Sequence, residues 1–189
     1  RTFAQHYVDK YGADATRCAL LLGAEGMDDP DWRGDNAADI QGKLLSLRRF
    51  ALEIIERSKN GEAGHLEKWL LSKMQQRIGE VTRNLEELKT RTALEIALFE
   101  VWNDFRWYTR RKGETEAEAV QEALEVWLRL LAPFAPHICE ELWSGAGKEN
   151  FISLADWPRV DEGKVDVLAE ERENLLTDLV EDTLNVLRA

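Results

Sequence analysis

The run Asn103-Asp104-Phe105-Arg106-Trp107-Tyr108-Thr109-Arg110-Arg111-Lys112 concentrates the residue types best able to grip a polyanion. At helical spacing Arg106 and Arg110 share one face, and Trp107 and Arg111 share the face beside it. Arg111 and Lys112 would close that helix, where cations complement its dipole. Guanidinium forks match phosphate oxygens, and aromatic planes match bases or ribose. The competing reading is structural: Arg106 pairs with Asp104, Glu100 or a neighbouring helix, and Trp107 is core. A smaller basic pair, Arg48-Arg49, lies further up the chain and admits the same two readings.

Catalytic patterns are weak. The histidines, His6, His65 and His137, are far apart in sequence, and only His137 stands near carboxylates, in an HxxEE pattern with Glu140 and Glu141. No second His or Cys cluster completes a metal site, so no metal is expected. Neither a Gly-rich phosphate loop nor a G-x-S-x-G elbow occurs, and no catalytic residue is assigned. Cys18 and Cys139 both fall in apolar helical patterns and read as small core residues, not as a disulfide or metal pair.

Charge divides the chain of 189 residues, whose net charge is −11. Residues 1–112 carry 19 basic and 18 acidic side chains, while residues 113–189 carry 6 and 18. The second part repels phosphate, so any polyanion contact belongs to the first. No apolar run approaches the roughly 20 residues of a membrane span and no signal peptide is visible, which reads as a cytoplasmic protein.

The elements that position these residues are helices. Leu, Ala, Glu and Arg abound and β-branched runs are few, which favours an all-α fold. Val120–Trp143 orders it: Val120, Ala123, Leu124, Trp127, Leu128 and Leu131 make a buried stripe, with Trp127 in the core. Pro133 and Pro136 break that helix near Ala132 and restart it near Pro136. Before it, two short pieces span residues 2–22, with Asp14 in the first turn of the second. A loop at 23–35 carries Trp32 as an anchor. Helices of about 36–59, 64–88 and 92–112 follow, the second with Leu85 and Leu88 on its apolar side. Gly42, inside the first of these, points to close approach of another backbone. Thr2/Gln5, Thr92/Glu95 and Thr115/Glu118 match capping boxes. After Trp143, Phe151, Leu154 and Trp157 are expected to pin an extended strap, 161–163 to form a linker, and 166–187 to form a last helix striped with leucines.

LAPFAPHICEELW (131–143), followed by FISLADWP (151–158), resembles the closing helices of the anticodon-binding domain of class I aminoacyl-tRNA synthetases. YGADATRCALLLGA (11–24) is similar to the segment just after their KMSKS loop, and DPDW (29–32) to the loop that follows. RTALEIALFEVWNDFRWYTRR (91–111) resembles the leucyl enzymes of the archaeal type more than the valyl, isoleucyl or methionyl ones. Isoleucyl and valyl relatives stay open alternatives, as does a helical protein-interaction module or, on His137, a metal hydrolase. The resemblance implies an all-α bundle that holds tRNA(Leu) by its backbone on the inner side of the L, without reading anticodon bases. It implies three parts: 1–35 as the end of the stem-contact region, 36–158 as the anticodon-binding bundle, and 159–189 as a linker and terminal helix leading to a C-terminal domain. Neither HIGH nor KMSKS occurs, so the chain looks like an inactive piece of a ligase whose catalytic domain uses ATP and Mg; this piece needs no cofactor. The tRNA candidates are Arg106, Trp107, Arg110, Arg111, Lys112, Arg48 and Arg49. With its natural neighbour missing, the last helix is expected to leave its leucines partly exposed.

Overall fold

The computed structural model describes residues 4–26, 32, 34–57, 63–112 and 118–188. The helices are α1 Ala4–Tyr11, α2 Ala13–Leu22, α3 Gly34–Glu56, α4 His65–Glu86, α5 Thr90–Glu95, α6 Val101–Lys112, α7 Glu118–Leu131, α8 Pro136–Gly145 and α9 Val167–Arg188. A π turn, Ile96–Glu100, joins α5 to α6. No strand occurs among the described residues, so the fold is all-α.

The two prolines act as their chemistry dictates. α7 stops at Leu131 and α8 starts with Pro136 in its first turn. Phe134 and Ala135 fill the corner and are buried. The exposed N–H groups of α8 are met from a distance: Asp14 accepts from the backbone N–H of Ile138 at 2.8 Å and of His137 at 3.4 Å. Asp14 does lie in the first turn of α2, but its carboxylate serves the start of α8 instead.

One core runs through the bundle, with α4 packed on α5, α6, α7 and α9. Trp127 is fully buried in it, stacked on Phe105 with centroids 4.9 Å apart. Its indole N–H donates to the Ala97 carbonyl at 2.7 Å. Ala97 lies in the π turn, whose i→i+5 bonding interrupts the usual i→i+4 ladder. Cys18 and Cys139 are buried and unbridged, and burial pushes the Cys18 thiol up to about 12.

Several local expectations are corrected. α5 begins at Thr90, not at a Thr92 capping box; Glu25, just after α2 and far away in sequence, accepts from the N–H groups of Arg91 and Thr92 and from the Thr92 hydroxyl. Glu25 therefore does the capping that Glu95 was expected to do. The Thr2 and Thr115 boxes lie outside the described residues. Gly42 faces open space, so no neighbouring backbone explains it. Phe151 and Leu154 are exposed, and buried Ile152 takes their place; Trp157 pins the strap as expected, its N–H donating to the Thr82 hydroxyl at 2.9 Å. The expected linker is tied down, because the Asp161 N–H donates to the Gln75 side chain at 2.8 Å.

Leu88 departs most sharply. It is 77% exposed and sits at φ 57°, past the end of α4, while Lys89 N–H closes back on the Asn84 carbonyl. This is the left-handed stop that glycine favours, and a leucine there costs about 1–2 kcal/mol of backbone strain with no burial in return. Leu88→Gly is expected to stabilise the protein by about 0.5–1 kcal/mol once glycine's extra unfolded-state entropy is subtracted. A lower melting temperature for the variant would refute this account.

Candidate nucleic-acid interface

The basic run occupies α6, and its members divide by what they touch. Arg106 and Arg110 are exposed, and neither has a side-chain partner among the described residues. Across from them, Lys43 of α3 sits over the Phe99 ring, 4.2 Å from its centroid. Burial, and then the Arg106 charge, hold the Lys43 amine below its ordinary value. Two cations close enough to repel each other, with no carboxylate between them, form a site that gains when an anion arrives. Arg49 is exposed and, among the described residues, reaches the Ser46 hydroxyl at 3.4 Å. Phe99 and Trp102 are half-buried beside this ridge and pack on the core, Trp102 against Phe50 at 5.4 Å.

The other basic candidates are engaged within the protein. Arg111 lies 3.1 Å from Glu173 of α9, and the Trp107 indole N–H donates to the same carboxylate at 2.8 Å. His65 approaches it from α4 at 3.1 Å. Glu173 is 2% exposed. Burial alone would raise its pKa, but the bonds from Arg111, Trp107 and His65 outweigh it and hold the carboxyl below its usual range. Lys112 reaches the buried Glu67 at 2.8 Å, which also accepts from the Tyr108 hydroxyl at 2.6 Å and from the Gly64 N–H at 2.8 Å. Arg48 pairs with Glu141 of α8. Pulling these cations toward a phosphate would leave buried carboxylates unpaired at Glu173 and Glu67, which costs several kcal/mol.

Asp104 is also committed, but to Arg77 of α4 at 2.8 Å and not to Arg106. Arg77 further meets Glu80 at 2.9 Å and Glu100 at 3.6 Å. Within α6 itself, the cations therefore divide into Arg111 and Lys112, which are paired with buried carboxylates, and Arg106 and Arg110, which have no partner among the described residues.

His137 keeps to a structural pattern. Its Nδ1 is 2.7 Å from Asp14, while Glu140 accepts from the Ile152 and Ser153 N–H groups and Glu141 holds Arg48. Among the described residues no group of three or more His, Cys, Asp or Glu could hold a metal ion. No helix among the described residues is long and apolar enough to cross a membrane.

Lys43, Glu67 and Glu173 were not singled out from sequence. Glu173 had a signal: with Ala169, Leu176 and Thr177 it follows the i, i+4, i+7 line of the face that α9 turns inward. Leu168, Leu175, Leu179, Val180, Leu184 and Leu187 are exposed, as expected for that helix. Lys43 had no such signal, since only the packing of α3 against the π turn brings it to Arg106.

A family described as the anticodon-binding domain of tRNA ligase matches residues 67–189. The leucine–tRNA ligase of Archaeoglobus fulgidus is 44% identical over 177 residues, 93% of this chain and 18% of its own length. That of Methanothrix thermoacetophila is 41% identical over 184 residues, 96% of this chain and 19% of its own. Among solved structures, the agnB2 LeuRS of Agrobacterium radiobacter K84, crystallised as a ternary complex with tRNA and LeuAMS, superposes with a TM-score of 0.73 at 25% identity. That superposition covers 87% of this chain and 22% of that one. The chain therefore spans about a fifth of the length of the relatives it matches.

Proposed function

The chain belongs to the anticodon-binding domains of tRNA ligases, and from that premise we propose that it is the tRNA-holding bundle of a leucine–tRNA ligase. The whole protein joins leucine to tRNA(Leu) with ATP and Mg in a separate catalytic domain; this part contributes grip and no catalytic residue. Residues 36–158 form the RNA-holding bundle, 1–35 lead from the catalytic side, and 159–189 lead to a C-terminal domain. The compartment is the cytoplasm.

One observation carries the reading: among the described residues Lys43, Arg106 and Arg110 have no carboxylate partner, whereas Arg77, Arg111, Lys112 and Arg48 are each paired with one. An unpaired cationic ridge suits phosphates, which position a nucleic acid without reading its sequence. Trp107, Arg111, Lys112 and Arg48 serve the bundle's own cohesion in this reading.

The test is anisotropy titration of a leucine-acceptor tRNA transcript over a range of KCl concentrations. With three to four phosphate contacts, log K should fall against log salt with a slope of about −2 to −3.5. Binding that ignores salt, or no binding at low salt, would sink the proposal. A second reading, a helical protein-interaction module, draws on the exposed α9 leucines. It requires a mass above the monomer in light scattering together with no RNA affinity.

A further inference from the structure

A pocket of about 480 Å³ opens between α2, α3 and α8, away from the basic ridge, and nothing so far gives it a role. Its walls include Leu44, Leu45 and Ile138, and its polar groups come from Gln41, Arg48 and His137. Leu45 is 54% exposed on this wall. The size lies inside the range of about 300–1,000 Å³ usual for small-molecule sites.

The polar groups define what fits. Asp14 already covers the N-terminus of α8, and Glu141 offsets Arg48, so the pocket has no surplus positive charge for a phosphate. A carboxylate only accepts, so the 2.7 Å contact with Asp14 requires an N–H on His137 Nδ1, and in the singly protonated ring Nε2 is then an acceptor. The ring is held in place yet its side chain is 70% exposed. Gln41 donates its amide N–H to the Tyr11 carbonyl at 3.1 Å, which leaves its amide oxygen as a second acceptor. Arg48 binds Glu141 through Nε and Nη2, which leaves Nη1 as a donor. Two acceptors and one donor around leucine and isoleucine walls suit a flat group that offers N–H donors on its edge.

We propose that this pocket takes one unpaired, amino-bearing base of the bound RNA (adenine, cytosine or guanine) in preference to uracil. Unpaired RNA bases are recognised by packing of their faces and hydrogen bonding of their edges. The exocyclic amine of these three bases supplies the donors that His137 Nε2 and the Gln41 oxygen lack; uracil has only one edge N–H. Location supports the same ligand. α3 carries Leu45 and Arg48 on the pocket wall and Lys43 over the Phe99 ring beside Arg106, so one helix spans a held phosphate and a nearby base. The inference rests on the RNA-holding reading above.

The chain, labelled with ¹⁵N, is titrated separately with adenosine, cytidine, guanosine, uridine, inorganic phosphate and N-acetylarginine amide. The expected result is saturable shifts of the Gln41, Leu45 and Ile138 amides with the three amino-bearing nucleosides, several-fold weaker with uridine and absent with phosphate. His137→Ala and Leu45→Ser, both at exposed side chains, should each remove most of that binding. They should also weaken tRNA binding without changing its salt slope, since a base contact releases no counterion. Equal binding of uridine, saturation by phosphate, or saturation by the arginine amide in place of nucleosides would overturn the proposal, the last marking a protein side chain as the ligand. Intact tRNA binding with no nucleoside shifts sinks the pocket alone. Nucleoside shifts in a protein that binds no tRNA sink the RNA-holding reading instead.

Discussion

Trp127→Ala is expected to remove about 3–5 kcal/mol of stability, the usual cost of truncating a large buried aromatic side chain. The environment argues for the upper part of that range. Trp127 is fully buried, stacks on Phe105 and lies 5.7 Å from Trp102. It also holds the Ala97 carbonyl inside the π turn, so truncation leaves a buried acceptor unmet as well as a cavity. Against a total of about 5–15 kcal/mol for a domain, this threatens folding at growth temperature. Urea unfolding should show a much lower midpoint with an unchanged slope. Trp127→Phe separates the two contributions, because it keeps a ring but loses the N–H, and it should fall between wild type and alanine. A loss below about 1 kcal/mol for the alanine variant would mean that the core repacks and that the indole is not central to it.

What could be read in advance followed from local rules. Pro133 and Pro136 forbid a continuous helix wherever the chain goes afterwards, so the α7–α8 break was legible from two residues. The Trp127 stripe was legible because helical period fixes which side chains share a face. The failures share a cause too. The Thr92 capping pattern was locally valid, but a carboxylate 67 residues upstream, Glu25 after α2, takes the Thr92 N–H and hydroxyl. Phe151 and Leu154 looked like anchors by type, yet the 3-10 turn there points Ile152 inward and leaves both of them outside. Leu88 fitted the spacing of α4 but lies two residues past the helix's real end.

The site was half legible for the same reason. The basic density of α6 is a property of ten consecutive residues, and it stands out in sequence. Which of those cations remains available is decided by carboxylates far away: Glu173 lies 62 residues from Arg111, and Asp104 finds Arg77 27 residues upstream. Two neighbouring arginines, Arg110 and Arg111, thus have different surroundings although composition and spacing treat them alike. Arg110 has no partner among the described residues, while Arg111 holds α9 to the bundle through Glu173.

That difference gives the second large effect. Arg106→Ala with Arg110→Ala should weaken tRNA binding by on the order of tenfold or more near 0.1 M salt and flatten the salt slope by about 1.4–1.8, two contacts' worth. Melting temperature should barely move, because exposed side chains without partners contribute little to stability. Arg111→Ala should do the reverse. It removes the strongest charge partner of a carboxylate that is 2% exposed, while Trp107 and His65 still reach it. The fold should lose on the order of 1–3 kcal/mol and the salt slope should stay as it was. Glu173→Gln supplies the control, since it keeps the shape of the acceptor while discharging it, and it too should spare the RNA slope. In a full-length ligase, the Arg106/Arg110 variant should raise KM for tRNA and leave leucyl-adenylate formation, followed by pyrophosphate exchange, nearly unchanged. A double variant that melts early yet binds tRNA normally would remove α6 from the interface and return those arginines to a purely structural role.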